Sequence, residues 1–286
     1  MSSPNLVCPH NRKLFDSLAR QLITARVKDP GEVFVAARDV RESGNRLFSV
    51  IVDTDHSLEE IDIPDDWGGI SVALFIPRMG RFRSIRRKLE RIRRMKIRVY
   101  LPCDDPENIT SLQVLSSVGV SVASRIIQGP HLWEPLLDLM TFAILGPAPH
   151  SPIDPFVFVA DNFETGGSVD WRGIYFEDPK EFFHLDDKGR VALSHHELIN
   201  EDFIFDDPSD IDIREENPEY RLRTDPRERF FLTDHPCSRC PGWRVCMGAF
   251  VQNGAPPEGC SEFAAELLEV VEQYRGMRGA PREKRS

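Results

Sequence analysis

The sequence predicts an α/β protein in which a parallel sheet with covering helices is followed by a small cysteine-rich unit. Short branched apolar runs alternate with stretches of helical periodicity over about the first 160 residues. From about residue 166 the chain becomes acidic and rich in turn formers. Four of the six cysteines then fall between Cys237 and Cys260. A length of 286 residues suits one large domain with a smaller appendage.

The first unit, residues 1–160, is predicted from strands and helices in alternation. Apolar runs at residues 48–53, 70–76, 97–101, 119–123 and 155–160 have the length and branched side chains of buried strands. Helices are expected at residues 81–96, 107–118 and 131–145. Such alternation implies parallel βαβ units. Five strands are too few for a complete eight-stranded barrel.

The second unit, residues 161–276, is predicted to end in an amphipathic helix. We expect this helix at residues 261–275, with Ser261 as its N-cap and Glu262 in its first turn. Its buried side would carry five apolar side chains: Phe263, Leu267, Val270, Val271 and Tyr274. Residues 277–286 contain Gly, Pro and Arg and are expected to form a flexible tail.

Composition and charge exclude several classes of protein. Hydrophobic residues make up 41% of the chain and charged residues 29%, which is the range of globular proteins. The formal net charge of −10 argues against a nucleic-acid partner. No apolar run approaches the roughly 18 residues of a membrane span, and the N-terminus lacks the layout of a signal peptide. We therefore expect a cytoplasmic protein with no membrane partner, whose thiols stay reduced or bind metal.

The cysteines between Cys237 and Cys260 have the spacing of a metal-binding site. Cys237 and Cys240 form a Cys-x2-Cys turn, Cys246 follows after five residues, and Cys260 after thirteen more. Four thiolates suit either zinc or an iron–sulfur cluster, and ligand type alone does not separate the two. Unrelated or disulfide-linked cysteines are the third interpretation. We expect Arg239 and Arg244 to offset the negative charge of the thiolates.

This cysteine string resembles the C-terminal part of the SPASM domain, the iron–sulfur appendage of many radical S-adenosylmethionine (radical SAM) enzymes that modify peptides. Pro241, Gly248 and the helix expected after Cys260 also resemble that pattern. The family holds two auxiliary 4Fe-4S clusters. The resemblance implies that Cys237, Cys240, Cys246 and Cys260 hold the second of these clusters.

The elements of the first auxiliary cluster are missing together. The Gly-x4-Cys hairpin of the family is similar to residues 185–194, but after Gly189 the cysteine position holds Ser194. No cysteine lies between Cys103 and Cys237, and Phe250 stands where the family continues with another cysteine. The resemblance therefore implies one 4Fe-4S cluster per chain and a first-cluster position filled by ordinary packing.

The ligand loop of the catalytic radical SAM cluster is also absent. That loop has a Cys-x3-Cys-x2-Cys pattern, and the N-terminal half of this chain contains only the isolated Cys8 and Cys103. The resemblance thus implies a partial, degenerate radical SAM-like βα barrel followed by a SPASM-like iron–sulfur domain. We expect no binding of S-adenosylmethionine and no independent catalysis.

A SPASM-like cysteine string without the catalytic cluster loop resembles the SPASM-domain partner proteins of the GeoRSP system. That resemblance implies three candidate partners: a companion radical SAM/SPASM enzyme, a PqqD-like peptide-binding protein and a precursor peptide. The function implied is an accessory one in ribosomal peptide maturation, by docking and electron transfer through the cluster. The alternative is a scaffold or substrate-binding module whose four cysteines hold a structural zinc ion.

Several further residues have a structural and a functional interpretation. The basic segment from Arg78 to Arg98 can be a solvated helix face or a docking face for an acidic partner. Four polar side chains follow the ends of predicted strands: Asp53, Asp55, His56 and Cys103. They can cap the following helices, or they can form a site at the carboxyl ends of the strands, where parallel sheets usually bind ligands. Cys8 with His10 can be a spare metal-binding pair or a free thiol at a mobile terminus.

Overall fold

A computed structural model describes residues 4–95, 97–126, 132–164, 166–251 and 255–279. Within these residues nine strands form one sheet in the order β7-β6-β5-β4-β3-β2-β1-β8-β9. The strands are β1 (Asn5–Pro9), β2 (Leu22–Val27), β3 (Arg46–Asp53), β4 (Val72–Phe75), β5 (Arg98–Pro102), β6 (Val122–Arg125), β7 (Ile153–Asp154), β8 (Phe182–Leu185) and β9 (Val191–Ala192).

The sheet is parallel from β7 to β8, and only β9 runs antiparallel to its neighbour. Strands β1 to β7 lie side by side in chain order, as expected when each strand is followed by a crossover that returns to the next position. Strand β8 returns to the free side of β1. No hydrogen-bonded ladder joins β7 to β8 or β9 in the described residues.

Ten α-helices are present in the described residues, and several begin at residues that the sequence marks. They are α1 (Arg12–Ser17), α2 (Val33–Glu42), α3 (Phe82–Met95), α4 (Pro106–Ser117), α5 (Trp133–Leu145), α6 (Phe156–Asn162), α7 (His195–Ile199), α8 (Pro218–Thr224), α9 (Trp243–Cys246) and α10 (Cys260–Gly279). Asn11 accepts hydrogen bonds from the first amides of α1, and Asp105 caps α4, where Pro106 stands first. Short 3-10 helices include Arg172–Tyr175 and Pro236–Arg239.

The α/β class and most of the central elements are confirmed. Strands β3, β4 and β5 overlap the predicted runs at 48–53, 70–76 and 97–101, and β6 overlaps the run at 119–123 only at its C-terminal end. Helices α3, α4, α5 and α10 match their predictions to within a few residues. Ile85, Leu89 and Ile92 of α3 are buried as expected, whereas Phe82 is 39% exposed. Helix α10 begins at Cys260, so Ser261 lies inside its first turn and is not the N-cap.

The predicted strand count was wrong, and one strand was assigned to the wrong structure. Strands β1, β2, β7 and β8 were not predicted, because their sequences are short or interrupted by polar residues and proline. Residues 155–160 form helix α6 and not a strand. Phe156, Val159 and Ala160 are its buried residues, which is helical spacing that a five-residue apolar run also permits in a strand.

The two predicted units share one sheet and one core. Strands β8 and β9 come from the second unit and extend the sheet beyond β1. The segment before β8 packs across the sheet, where the Tyr100 hydroxyl donates to the Ile174 carbonyl at 2.9 Å and the Tyr175 hydroxyl to the Ser124 carbonyl at 2.6 Å. Helix α10 contacts α5 and α6 of the first unit.

The expected C-terminal tail lies at the limit of the described residues. Helix α10 continues to Gly279, so the beginning of the expected tail at 277–286 is helical, and residues 280–286 lie outside the described residues.

None of the described helices combines the length and the apolar character needed to cross a lipid bilayer.

Candidate metal centre

The four cysteines of the motif lie in or next to three helical segments. Cys237 is in the 3-10 helix Pro236–Arg239, and Cys240 follows directly. Cys246 is the last residue of α9, and Cys260 is the first residue of α10. All six cysteines of the chain are free thiols. The motif therefore delivers its thiols from helix ends, where the backbone can turn each side chain toward a common region.

The turn between Cys237 and Cys240 is held by local hydrogen bonds. The Cys237 amide donates to His235 Nδ1 at 3.2 Å, and the Cys240 amide donates to the Cys237 carbonyl at 3.2 Å. Gly242 then packs directly on helix α10, because a Cβ atom on Gly242 would lie 2.3 Å from the Ala264 carbonyl carbon. The turn carrying Cys237 and Cys240 is thus seated on the helix that begins with Cys260.

The four thiols lie close enough together to interact electrostatically. Burial, followed by the charges of Cys246, Cys237 and Cys240, raises the pKa of Cys260 to about 12. Burial, followed by Cys240, raises the pKa of Cys237. The Cys240 sulfur lies 3.6 Å from the Ser261 hydroxyl, next to Cys260. Each thiolate would therefore repel the others unless a positive charge stood among them.

The Cys246 sulfur is surrounded by backbone amides. The chain turns sharply after α9, with positive φ angles at Met247 (48°) and Gly248 (76°). Burial raises the pKa of Cys246 to about 11, but the amides of Phe250, Gly248 and Ala249 hydrogen-bond its sulfur and act in the opposite direction. Consecutive amides that point at one atom form a nest, which favours negative charge there. These amides oppose the effect of burial without outweighing it, so the Cys246 side chain is a neutral thiol near pH 7 unless a positive charge lies beside it.

The arginines beside the thiols are not the two that the sequence suggested. Arg239 pairs with Asp234 at 2.5 Å on the surface, and Arg244 donates to the carbonyls of Gly167 and Glu164. Arg172 and Arg229 interact with the thiols in their place. Arg172 is 74 residues from Cys246 along the chain, so no local pattern pointed to it, whereas Arg229 lies only eight residues before Cys237.

Burial lowers the pKa of Arg172, but its hydrogen bond and ion pair with Asp170 outweigh this, and Cys246 adds to the raised pKa. Burial and the charge of Arg172 lower the pKa of Arg229, while Glu197 and Cys237 oppose this decrease. Both guanidinium groups therefore offer positive charge to the region of the four sulfur atoms.

Aromatic rings enclose the site on the side of helix α5. Phe250 is 1% exposed, and its ring centroid lies 5.5 Å from that of Trp133, 5.6 Å from Trp171 and 5.8 Å from Phe263. Trp171 Nε1 donates to the Val245 carbonyl at 2.6 Å, which ties α9 to this group of rings. Phe250 therefore takes part in ordinary aromatic packing.

The hairpin predicted at residues 185–194 is present. Strands β8 and β9 pair antiparallel, and Gly189 in the turn has a φ angle of 88°. Ser194 caps helix α7 by accepting the Glu197 amide at 3.1 Å. His195 and His196 are the first two residues of α7, and His195 Nε2 lies 3.8 Å from Asp53 Oδ2.

The other candidate residues do not join the four cysteines. Cys8 is fully buried in strand β1, where burial raises its pKa, so it is neither mobile nor available to His10. His10 contacts Asp39 through Nε2 at 3.1 Å. Cys103 is also buried, and burial, followed by Asp104, raises its pKa to about 12.

The strand-end acids also have separate environments. Asp53 is bound by Arg26 at 2.8 Å, and Asp55 and His56 are exposed. Of these three residues, Asp53 is the one that lies near His195, at 3.8 Å between Oδ2 and Nε2.

The described residues contain no group of three or more His, Cys, Asp or Glu side chains arranged to bind one metal ion. One tetrahedral zinc ion requires its sulfur ligands within about 4 Å of one another. In a four-iron cluster each cysteine binds a different iron atom, so the sulfur atoms stand farther apart. The two kinds of centre thus differ in the spacing that they require of the same four thiols.

The chain matches no protein-family model, and searches of curated proteins and of solved structures find no significant match.

Proposed function

We propose that this chain is an accessory iron–sulfur protein that binds one 4Fe-4S cluster and acts with a companion radical SAM enzyme in ribosomal peptide maturation. The proposal rests on the SPASM-like spacing of Cys237, Cys240, Cys246 and Cys260, together with the packing of the turn at Gly242 against the helix that begins with Cys260. The proposal includes the interpretation of the sheet and helices as a degenerate radical SAM-like barrel, followed by a SPASM-like domain.

The residues around the thiols fit a cluster with negative charge. Amides of Gly248, Ala249 and Phe250 donate to the Cys246 sulfur, which stabilises a thiolate. Arg172 and Arg229 add positive charge beside Cys246 and Cys237. Hydrogen bonds to sulfur and nearby charge are the principal means by which a protein tunes such a centre.

A bound 4Fe-4S cluster would supply single-electron transfer. Four cysteine ligands occupy one position on each iron, which favours electron transfer or a structural role over binding of a substrate at iron. The rings of Trp133, Trp171, Phe250 and Phe263 pack together, and Trp171 Nε1 donates to the Val245 carbonyl, one residue before Cys246. Residues of this chain would thus hold the cluster and offset its charge.

Helix α3 offers a docking surface for the partners in this proposal, namely the companion enzyme, a PqqD-like protein or the precursor peptide. Three of its basic side chains bind the segment before β4: Lys88 donates to the Ile61 carbonyl at 2.6 Å, Arg91 to the Ile63 carbonyl at 3.1 Å, and Arg94 to Asp65 at 2.6 Å. Other basic side chains of the helix are exposed; these are Arg83, Arg86 and Arg87. Such a surface attracts an acidic partner.

The proposal is tested by purifying the full chain without oxygen and measuring iron, sulfide and zinc. We expect four iron and four sulfide ions per chain, as a 4Fe-4S cluster requires, and an electron paramagnetic resonance signal after reduction with dithionite. Cys246→Ser and Cys260→Ser should lose most of the iron. Cys103→Ala is the matched control, since its thiol is buried elsewhere, and it should keep the iron.

Three results would contradict parts of the proposal. Zinc without iron would remove the electron-transfer role and leave the alternative, a scaffold or substrate-binding module with a structural zinc site. Cleavage of S-adenosylmethionine by the chain alone would contradict the expected loss of catalysis. Failure to co-purify with a radical SAM enzyme expressed from the same locus would contradict the proposed partner.

A further inference from the structure

A cavity of about 590 Å³ lies between the sheet and the cysteine segment. One wall is formed at the C-terminal ends of β2, β3, β4 and β6, by Arg26, Asp53, Phe75 and Arg125. Gly248 and Ala249 belong to another wall. The volume is within the range of about 300–1,000 Å³ that is usual for small-molecule pockets, and the ends of parallel strands are their usual position.

Three arginines of this cavity are already paired with carboxylates. Arg26 Nη1 lies 2.8 Å from Asp53 Oδ2, and Arg172 Nη2 lies 2.6 Å from Asp170 Oδ2. Arg223 Nη2 contacts Glu197 at 2.7 Å and Asp202 at 3.0 Å. These ion pairs hold the walls of the cavity in place.

Arg125 and Arg229 are different. Within the described part of the chain neither has a carboxylate in ion-pair contact, although both line the cavity. The Arg125 guanidinium lies 5.2 Å from the ring centroid of Phe75, and that of Arg229 lies 4.8 Å from Phe230. A guanidinium that stacks on a ring keeps the donors on its edge available, because those donors lie in its plane.

The surroundings of these arginines favour the arrival of an anion. Arg26 Nε and His195 Nδ1 are buried without a hydrogen-bond partner in the described residues. A carboxylate in the cavity would therefore replace lost solvation with charge-assisted hydrogen bonds.

We infer that this cavity is a binding site for a ligand that carries carboxylate groups, which Arg125 and Arg229 receive. Phe75, Tyr175, Leu193 and Ile199 supply apolar surface for the body of such a ligand. The planar guanidinium binds carboxylate and phosphate alike. The acidic side chains in the same walls, Asp53, Glu197 and Asp202, disfavour a phosphate group, which concentrates up to two charges at one position, more than a carboxylate group, which carries one.

The inference concerns the cavity and stands apart from the metal that the cysteines hold. The two sites nevertheless share a wall, because the amides of Gly248 and Ala249 hydrogen-bond the Cys246 sulfur. A ligand in the cavity would thus lie next to the cysteine site.

Isothermal titration calorimetry of the full chain at low ionic strength tests this inference, with succinate, citrate and inorganic phosphate as the ligands. We expect saturable binding of a carboxylate ligand that is tighter than the binding of phosphate. Arg125→Gln and Arg229→Gln should each weaken it roughly ten- to hundred-fold, the loss of a charge-assisted hydrogen-bond pair. Arg125→Lys keeps the positive charge but loses the paired N–H donors of the planar guanidinium group, so it should weaken binding less than Arg125→Gln does.

Arg41→Gln is the matched control, because it removes an exposed arginine at the end of α2 that does not line the cavity. It should bind as the unmodified protein does. The inference is overturned if no carboxylate binds, if phosphate binds more tightly, or if Arg41→Gln weakens binding as much as Arg125→Gln. Circular dichroism of each variant verifies that it is folded. If Arg125→Gln is not folded, Arg125→Lys provides the test.

Discussion

At the scale of single residues, the buried carboxyl group of Glu177 has a pKa that makes the stability of the protein depend on pH. Burial raises the pKa of its carboxyl group to about 7, although Arg26 and the hydrogen bond from the His195 amide act in the opposite direction. Its ordinary pKa is 4.5. The folded protein therefore holds a proton on Glu177 between about pH 4.5 and 7 that the unfolded chain has released.

Because the folded state binds the extra proton, the contribution of Glu177 to the free energy of unfolding falls as the pH rises through this window. The decrease is up to about 3 kcal/mol for a shift from 4.5 to about 7. His195 acts with the opposite sign: burial, followed by Arg26, lowers its pKa to about 4 from 6.5, so its contribution rises between these values. The two effects partly cancel in the unmodified protein.

Glu177→Gln should separate them. Gln keeps an oxygen that can accept the His195 amide but does not titrate, so the variant should gain stability relative to the unmodified protein as the pH rises from 5 to 8. Urea denaturation at the two pH values measures the difference, which should grow by about 2–3 kcal/mol. Glu90→Gln, on the exposed side of α3, is the control. An equal difference at both pH values would show that the Glu177 pKa is not raised.

At the scale of elements, the cysteine turn and helix α10 form one packed unit. Gly242 lies against the backbone of Ala264, and the Trp133 indole donates to the Glu258 carbonyl at 2.7 Å, just before Cys260. Each cysteine thus sits at an end of an element whose other contacts determine its position. The geometry of the candidate metal centre therefore depends on residues that are not ligands.

Gly242→Ala tests this dependence. The added methyl group would meet the α10 backbone, which cannot move as a flexible side chain does, so we expect a loss of about 1–3 kcal/mol in the free energy of unfolding and a lower metal content. Thermal denaturation and metal analysis measure the two effects.

Gly276→Ala is the matched control, because a Cβ atom there meets nothing within 4 Å. It lies within α10 and should raise stability by up to about 1 kcal/mol without changing the metal content. If Gly242→Ala bound metal normally and was equally stable, the close packing of the turn on α10 would be contradicted.

At the scale of the whole molecule, the sheet and the cysteine segment are joined by packing and by the shared cavity. The sheet is held by parallel ladders throughout its centre, whereas the cysteine segment consists of short helices linked by turns. A bound metal or cluster stabilises the folded form of the region that binds it, because the unfolded region has no preformed site.

Removal of the proposed metal centre by a chelator should therefore loosen one part of the molecule selectively. We expect faster amide hydrogen exchange in residues 236–251 and in the first turns of α10, and unchanged exchange in β3, β4 and β5. Mass spectrometry of the treated and untreated chain measures this. The same treatment of Cys260→Ser should have no effect, since that variant has lost a ligand. Equal changes throughout the sheet would contradict a locally stabilised cysteine segment.

The sequence by itself determined the α/β class, the central strands β3, β4 and β5, helices α3 to α5 and α10, and the hairpin around Gly189. Periodicity and turn residues decide such elements within a few positions along the chain. The spacing of the four cysteines was also evident from the sequence, because Cys237 and Cys240 belong to one turn. That these cysteines bind a metal centre is a proposal, and their spacing suits zinc as well as iron.

Only the tertiary structure decided the rest. The strands β1, β2, β7 and β8 are stabilised by their neighbours in the sheet and have little pattern of their own. Residues 155–160 became a helix because Phe156, Val159 and Ala160 could bury one side together. Arg172 reaches Cys246, and Arg26 reaches Asp53, across many intervening residues. Contacts of this kind arise from packing between elements, and the local sequence carries no record of them.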